Sequence, residues 1–72
     1  MTRLPRMTAQ QIMKVLERKG FQSVRQSGSH KIYRNAAGTR VTVPYHARKI
    51  LHPKILKSIL DDAEISIDEL HG

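Results

Sequence analysis

The apolar residues of this chain change their spacing twice, and that change limits its fold more than any other feature. Ile12, Val15 and Leu16 follow the i, i+3, i+4 stripe of an amphipathic helix. In RVTVP, Val41 and Val43 alternate with Thr42, the period of a strand with one buried face. Ile55, Leu56, Ile59, Leu60 and Ala63 then return to helical spacing and form the apolar face of a second helix. Between the first helix and RVTVP lie FQSVRQ and HKIYRN, short runs that read as two further strands.

The punctuation agrees with these periods. Thr8 caps a helix over Thr8 to Lys19, and Gln11 completes a capping-box pattern. Met7 and Ile12 fall at the staple positions around that cap, and Gly20 stands where a helix C′ glycine belongs. Ser27-Gly28 ends the first strand, and Asn35 to Thr39, with Gly38, makes the next turn. Pro44 ends the third strand because proline cannot donate to a ladder. YHARKILH is a connector, and Pro53 suits the first turn of the second helix. Ser66 and Glu69 repeat the capping spacing, so SIDEL adds a final helical turn. The predicted fold is α+β in the order α-β-β-β-α. A three-stranded antiparallel meander carries both helices on one face. Residues 1–72 form a single domain, with 1–6 a loose arm and 64–72 an acidic tail. A chain of this length buries only about 60% of its unfolded surface, so the core is small.

Charge is the strongest compositional signal. The formal net charge is +7, and its distribution is lopsided. All 13 Lys and Arg lie at or before Lys57, where Glu17 is the one acid. The other acids are Asp61, Asp62, Glu64, Asp68 and Glu69. A basic body with an acidic tail fits a polyanionic partner, most simply nucleic acid. With no cysteine, disulfides and thiolate zinc sites are excluded and a reducing compartment suits the chain. MTRLPRMTAQQ lacks the apolar run of a signal peptide, and no segment approaches the roughly 20 apolar residues of a membrane span. The expectation is a soluble cytoplasmic domain, monomeric because one small core accounts for its apolar residues.

Several chemistries are absent from the sequence. It has no P-loop, no Gly-rich dinucleotide turn and no metal-ligand pair at helical spacing. The carboxylates are nearly all in the tail, which disfavours a carboxylate-held magnesium site. No cofactor and no metal is expected. Metal-free RNA cleavage needs little more than proton transfer and cations. The ribose 2′-hydroxyl already sits beside the phosphorus, so a general base, a general acid and steadying charges suffice. Histidine suits that proton work, with an unperturbed pKa of about 6.5. DNA lacks the hydroxyl, so such chemistry favours RNA.

His30 is the best placed of the four histidines. It opens a strand, follows the Gly28-Ser29 step and is flanked by Arg25, Lys31 and Arg34. Alternation puts it on one face with Ile32 and Arg34, opposite Lys31 and Tyr33. If Ile32 faces the core, His30 stands at the core's edge, and residue physics alone favours a packed or capping histidine. His46 follows the third strand and approaches His30 only if register joins the two ends. A solvated loop histidine is its simpler reading. His52 caps the second helix or is merely exposed, and His71 is a tail residue. Tyr33 is either a base-stacking surface or a piece of the core. The candidate RNA contacts are thus Gly28, Ser29, Arg25, Lys31, Arg34, Tyr33 and His46.

Four pieces in order resemble the HicA toxins of HicAB toxin–antitoxin modules. They are LPRMTAQQIMKVLERKGF, VRQSGSHKIYR with its Gly-Ser-His signature, GTRVTVPYH, and LHPKILKSILDDAEIS. The resemblance runs from about Leu4 to Glu69. One departure is Ala63-Glu64-Ile65, where the family often has glycine in the middle. The resemblance implies a double-stranded-RNA-binding-domain-like fold and ribosome-independent cleavage of mRNA. It implies that His30 is catalytic, that Gly28 and Ser29 shape its site, and that a HicB antitoxin neutralises the chain by covering the basic face. Two other readings of the residues stand beside it. One is a non-catalytic RNA-binding module, and the other is a basic interaction protein for an acidic partner.

Overall fold

In the computed structural model, residues 4–46 and 49–71 are described, His71 by its backbone alone. The elements run α1 (Ala9–Arg18), β1 (Gln22–Ser27), β2 (His30–Arg34), β3 (Arg40–Pro44), α2 (Pro53–Ala63) and α3 (Ile67–His71). The expected α-β-β-β-α order holds, and α3 is the final helical turn. This order is compatible with a double-stranded-RNA-binding-domain-like arrangement.

Local chemistry sets the helix ends. Thr8 Oγ1 accepts the Gln11 N–H at 3.2 Å, and the Thr8 N–H donates to Gln11 Oε1 at 2.9 Å. Two of the orphan donors at the start of α1 are thereby satisfied. At its end, the Phe21 N–H donates to the Leu16 carbonyl at 2.9 Å and the Gly20 N–H to Glu17 at 3.1 Å. Gly20 takes φ +90°, the left-handed step this closure requires. Phe21 is thus folded back into the core, where it is 3% exposed.

His52 caps α2: its Nδ1 accepts the Lys54 N–H at 3.1 Å, with Pro53 in the first turn. The other end of α2 repeats the closure of α1, with the Ile65 N–H on the Leu60 carbonyl at 2.9 Å. Here, however, the left-handed residue is Glu64, at φ 58°. A Cβ in that conformation costs about 1–2 kcal/mol. Ser66 and Glu69 form the second capping box, at 2.6 and 3.3 Å. Glu69 also pairs with Lys19 at 2.6 Å, tying α3 to the end of α1. The Lys19 ammonium first, and then the Ser66 amide, hold the Glu69 carboxyl down at about 2.

The sheet is an antiparallel meander in the order β1-β2-β3. Its buried side chains are Tyr33, Val41 and Val43. They pack with Ala9, Ile12, Val15 and Leu16 of α1 and Leu56, Ile59, Leu60 and Ala63 of α2. The helices therefore cover one face of the sheet and leave the other open. β1 is exposed at every position.

Of the arm and the residue after it, Leu4 and Met7 pack against the core, and the Leu51 N–H donates to the Met7 carbonyl at 2.7 Å. Residues 1–3 of that arm lie outside the described residues. Ile55 is 40% exposed and stands on the rim of the α2 stripe rather than within it. The acidic tail carries α3, the expected final turn, with Ile67 and Leu70 packed against the core.

Candidate functional site

The hairpin that presents His30 is built from its own short sequence. Ser27 pairs with His30 across the turn, so Gly28 and Ser29 are the two linking residues. Gly28 takes φ +58°, and Ser29 does not share a positive φ. A positive φ at the first linking position alone is the II′ pattern, for which glycine is the natural residue. The Ser29 carbonyl accepts the N–H of Tyr45 from the end of β3. Both neighbours of His30 in the sheet are therefore fixed by backbone.

Register then sorts the side chains into rows, because residues opposite one another share a face. Three cross-strand rows lie on the open side. Ser27, His30 and Pro44 form the first, Arg25, Ile32 and Thr42 the second, and Gln22, Arg34 and Arg40 the third. His30, Arg25, Arg34 and Arg40 are exposed, and Ile32 is half-buried between its neighbours. No acid occurs between Glu17 and Asp61, so all three strands lack a carboxylate. Among the described residues, no ion pair involves any of these arginines. The result is a flat, open face with one histidine and three unneutralised guanidiniums.

Arg25 keeps the alternation set at the turn and faces as Ser27 does, but the strand then breaks its period. Ser23 pairs with Tyr33, yet Arg25 pairs with Ile32, so Val24 is an extra residue in β1. Without that bulge Gln22 would turn to the helix side. Bulges re-aim side chains in this way. Val24 itself is left 54% exposed.

Residues 9–65 match the family described as the HicA toxin of bacterial toxin–antitoxin systems. The chain belongs to the HicA toxin family. The matched segment runs from the first residue of α1 to Ile65 and contains all three rows of the open face. No curated protein matched the chain. Membership makes this HicA chain the toxin component of a toxin–antitoxin pair, with an antitoxin as its partner. Among the described residues, no helix is long and apolar enough to cross a membrane.

The HicA face gathers some of the expected residues and disperses others. His30, Arg25 and Arg34 share it, with Gly28 and Ser29 at its edge. His30 is not at the edge of the core, because Ile32 and Arg34 look outward and Tyr33 inward. Tyr33 is 1% exposed, so its ring belongs to the core and is closed to a stacking base. Burial, and secondarily the Glu17 carboxylate, push its phenol above the ordinary value. Lys31 lies on the helix side, half-buried, with Nζ 5.9 Å from the centre of the Tyr45 ring. His46 is exposed and follows Tyr45 at the end of β3, two residues beyond Pro44, the partner of His30. Among the described residues, no set of three His, Asp or Glu is arranged to hold a metal. Sequence reasoning passed over Arg40. Its signal was the alternation of RVTVP, which gives Arg40 the parity of Thr42, opposite Val41 and Val43.

Proposed function

We propose that this toxin is a ribosome-independent endoribonuclease that cleaves mRNA, with His30 as the general acid or base. The observation that carries the reading is His30 itself, an exposed histidine on a rigid strand, with no side-chain hydrogen bond among the described residues and with arginines on its own face. Such a histidine has no structural task in view and is free to exchange protons with a substrate. The attack comes from the ribose 2′-hydroxyl on the adjacent phosphorus. That oxygen loses its proton as the new P–O bond forms, and the 5′-oxygen gains one as it leaves. The products are a 2′,3′-cyclic phosphate and a 5′-hydroxyl. Arg25 steadies the charged phosphorus centre, and Arg34 holds the backbone farther along the strand. His46 is the candidate for the second proton transfer, since it lies two residues beyond Pro44, the cross-strand partner of His30. Lys31, on the helix side of the sheet, adds positive charge only at long range, and Gly28-Ser29 hold the histidine at its edge. The carboxylate-free strands support a reaction that needs no divalent ion. A HicB-type antitoxin that covers this face in the cytoplasm would neutralise the toxin.

The test is the chemistry of the ends. RNA cut in excess EDTA should carry 2′,3′-cyclic phosphate and 5′-hydroxyl termini. A divalent-ion requirement or 5′-phosphate products would sink the mechanism. Expression should arrest growth, and His30→Ala should abolish that arrest. An arrest that survives the substitution would favour a binding module or a protein-interaction role.

A further inference from the structure

The third row of the open face contains a repulsion that nothing else among the described residues offsets. Arg34 and Arg40 stand directly opposite each other across β2 and β3. Like charges in that position weaken a sheet. Both are exposed, neither has an ion pair among the described residues, and the strands carry no acid. The Arg34 guanidinium reaches toward the turn, 3.8 Å from where a Cβ on Gly38 would sit. A shallow groove lined by Gln22, Val24, Arg34, Asn35 and Ala36 runs beside it. An anion held between two guanidiniums would remove the repulsion. The planar fork of each guanidinium fits phosphate oxygens in pairs.

The geometry points to a phosphate subsite at Arg34 and Arg40 that grips the RNA backbone away from the bond presented to His30. The inference rests on the reading that RNA lies on this face. Arg34 is four residues along β2 from His30, about 13 Å at the rise of a strand. A stacked nucleic-acid strand advances about 3.4 Å per nucleotide, so the subsite lies about four nucleotides from the reacting phosphate, or fewer if the bases are splayed. Ile32, Arg25 and Thr42 lie between the two ends. A polymer that reaches both ends is held twice, whereas a dinucleotide occupies only one. The toxin therefore selects its substrate by length. Arg34 and Arg40 bind and do not take part in the proton transfers.

Binding of oligonucleotides blocked by 2′-O-methylation tests this without any cleavage. A dinucleotide and an octanucleotide would be titrated into wild type, Arg34→Gln and Arg40→Gln across a salt series. The octanucleotide should bind wild type far more tightly than the dinucleotide. Each variant should lose roughly tenfold on the octanucleotide, with a salt slope shallower by about one contact, and less on the dinucleotide, which can sit at the His30 end instead. Because each substitution removes a repulsion, neither should lower the unfolding temperature. Three results would overturn the subsite: unchanged octanucleotide affinity in the variants, an equal loss on the dinucleotide, or a poly-glutamate peptide of equal charge that binds as tightly and depends equally on Arg40. The ribonuclease reading fails separately. Length-dependent binding by a wild type that never cuts unmodified RNA would sink that reading and leave the subsite standing.

Discussion

The two faces of β2 alternate along a single five-residue strand and differ in almost every physical respect. Inward, Tyr33 is 1% exposed and packs among apolar side chains from both long helices. Outward, His30 and Arg34 are exposed, and cross-strand neighbours add Arg25 and Arg40. One backbone thus separates stability from candidate chemistry. A substitution on the inner face should unfold the chain, and one on the outer face should spare the fold while removing activity.

The largest stability effect belongs to the inner face. Tyr33→Ala should cost about 3–5 kcal/mol, as for other large buried aromatics, and denaturant titration would show it directly. For so small a domain that loss approaches the whole margin, so an unfolded protein also fits. A change below about 1 kcal/mol would mean that Tyr33 does not anchor the sheet to the helices. Next comes the turn that joins the faces. Gly28→Ala puts a side chain at φ +58°, where open space removes any clash but not the backbone strain. It should cost about 1–2 kcal/mol and also displace His30, so that both stability and cleavage fall. Fully retained cleavage would show that the turn does not position the histidine.

Smaller still, and opposite in sign, is Glu64→Gly at the end of α2. Glycine relieves the left-handed strain at φ 58° and should raise stability by about 1 kcal/mol, read as a higher denaturant midpoint, with no change in cleavage. The last prediction concerns acid. The Glu69 carboxyl is held at about 2, below its ordinary 4.5, by Lys19 and then Ser66. A lowered folded-state pKa gives stability that is complete above about 4.5 and fades as pH falls toward about 2. Denaturant midpoints measured from pH 5 to pH 2.5 should therefore fall less steeply in Glu69→Gln than in wild type. Identical slopes would remove the Lys19–Glu69 pair from the account.

Much of the fold was legible because each signal was local. Thr8 with Gln11, Gly20, Pro53 and Ser66 with Glu69 mark helix ends through contacts within a few residues. The alternation of RVTVP marked β3 and its inner face. What was not legible depended on partners distant in sequence. His30 and Ile32 were known to share a face, but both faces of HKIYRN offer an apolar residue, Ile32 or Tyr33. The choice was made by β3, whose Val41 pairs with Tyr33. Gln22 shows the same limit more sharply. Its face depends on the extra Val24 in β1, and nothing in FQSVRQ announces a bulge. The strap formed by Met7 and Leu51 is a backbone bond between distant segments, which no local pattern carries. Of the candidate site, the histidine and its turn were visible in the sequence, and Arg40 could have been found by parity. The division between Arg34 and Lys31 was visible too, but its meaning waited on which face was covered.

The central claim is that the outer face of β2 carries chemistry and little stability. Cleavage of a long single-stranded RNA in excess EDTA tests it most directly, with wild type compared against His30→Ala at matched thermal unfolding. The account predicts that wild type cuts, that His30→Ala is slower by at least about 100-fold, and that the two unfold at the same temperature. Equal cutting by both proteins, or a His30→Ala protein that fails to fold, would contradict it.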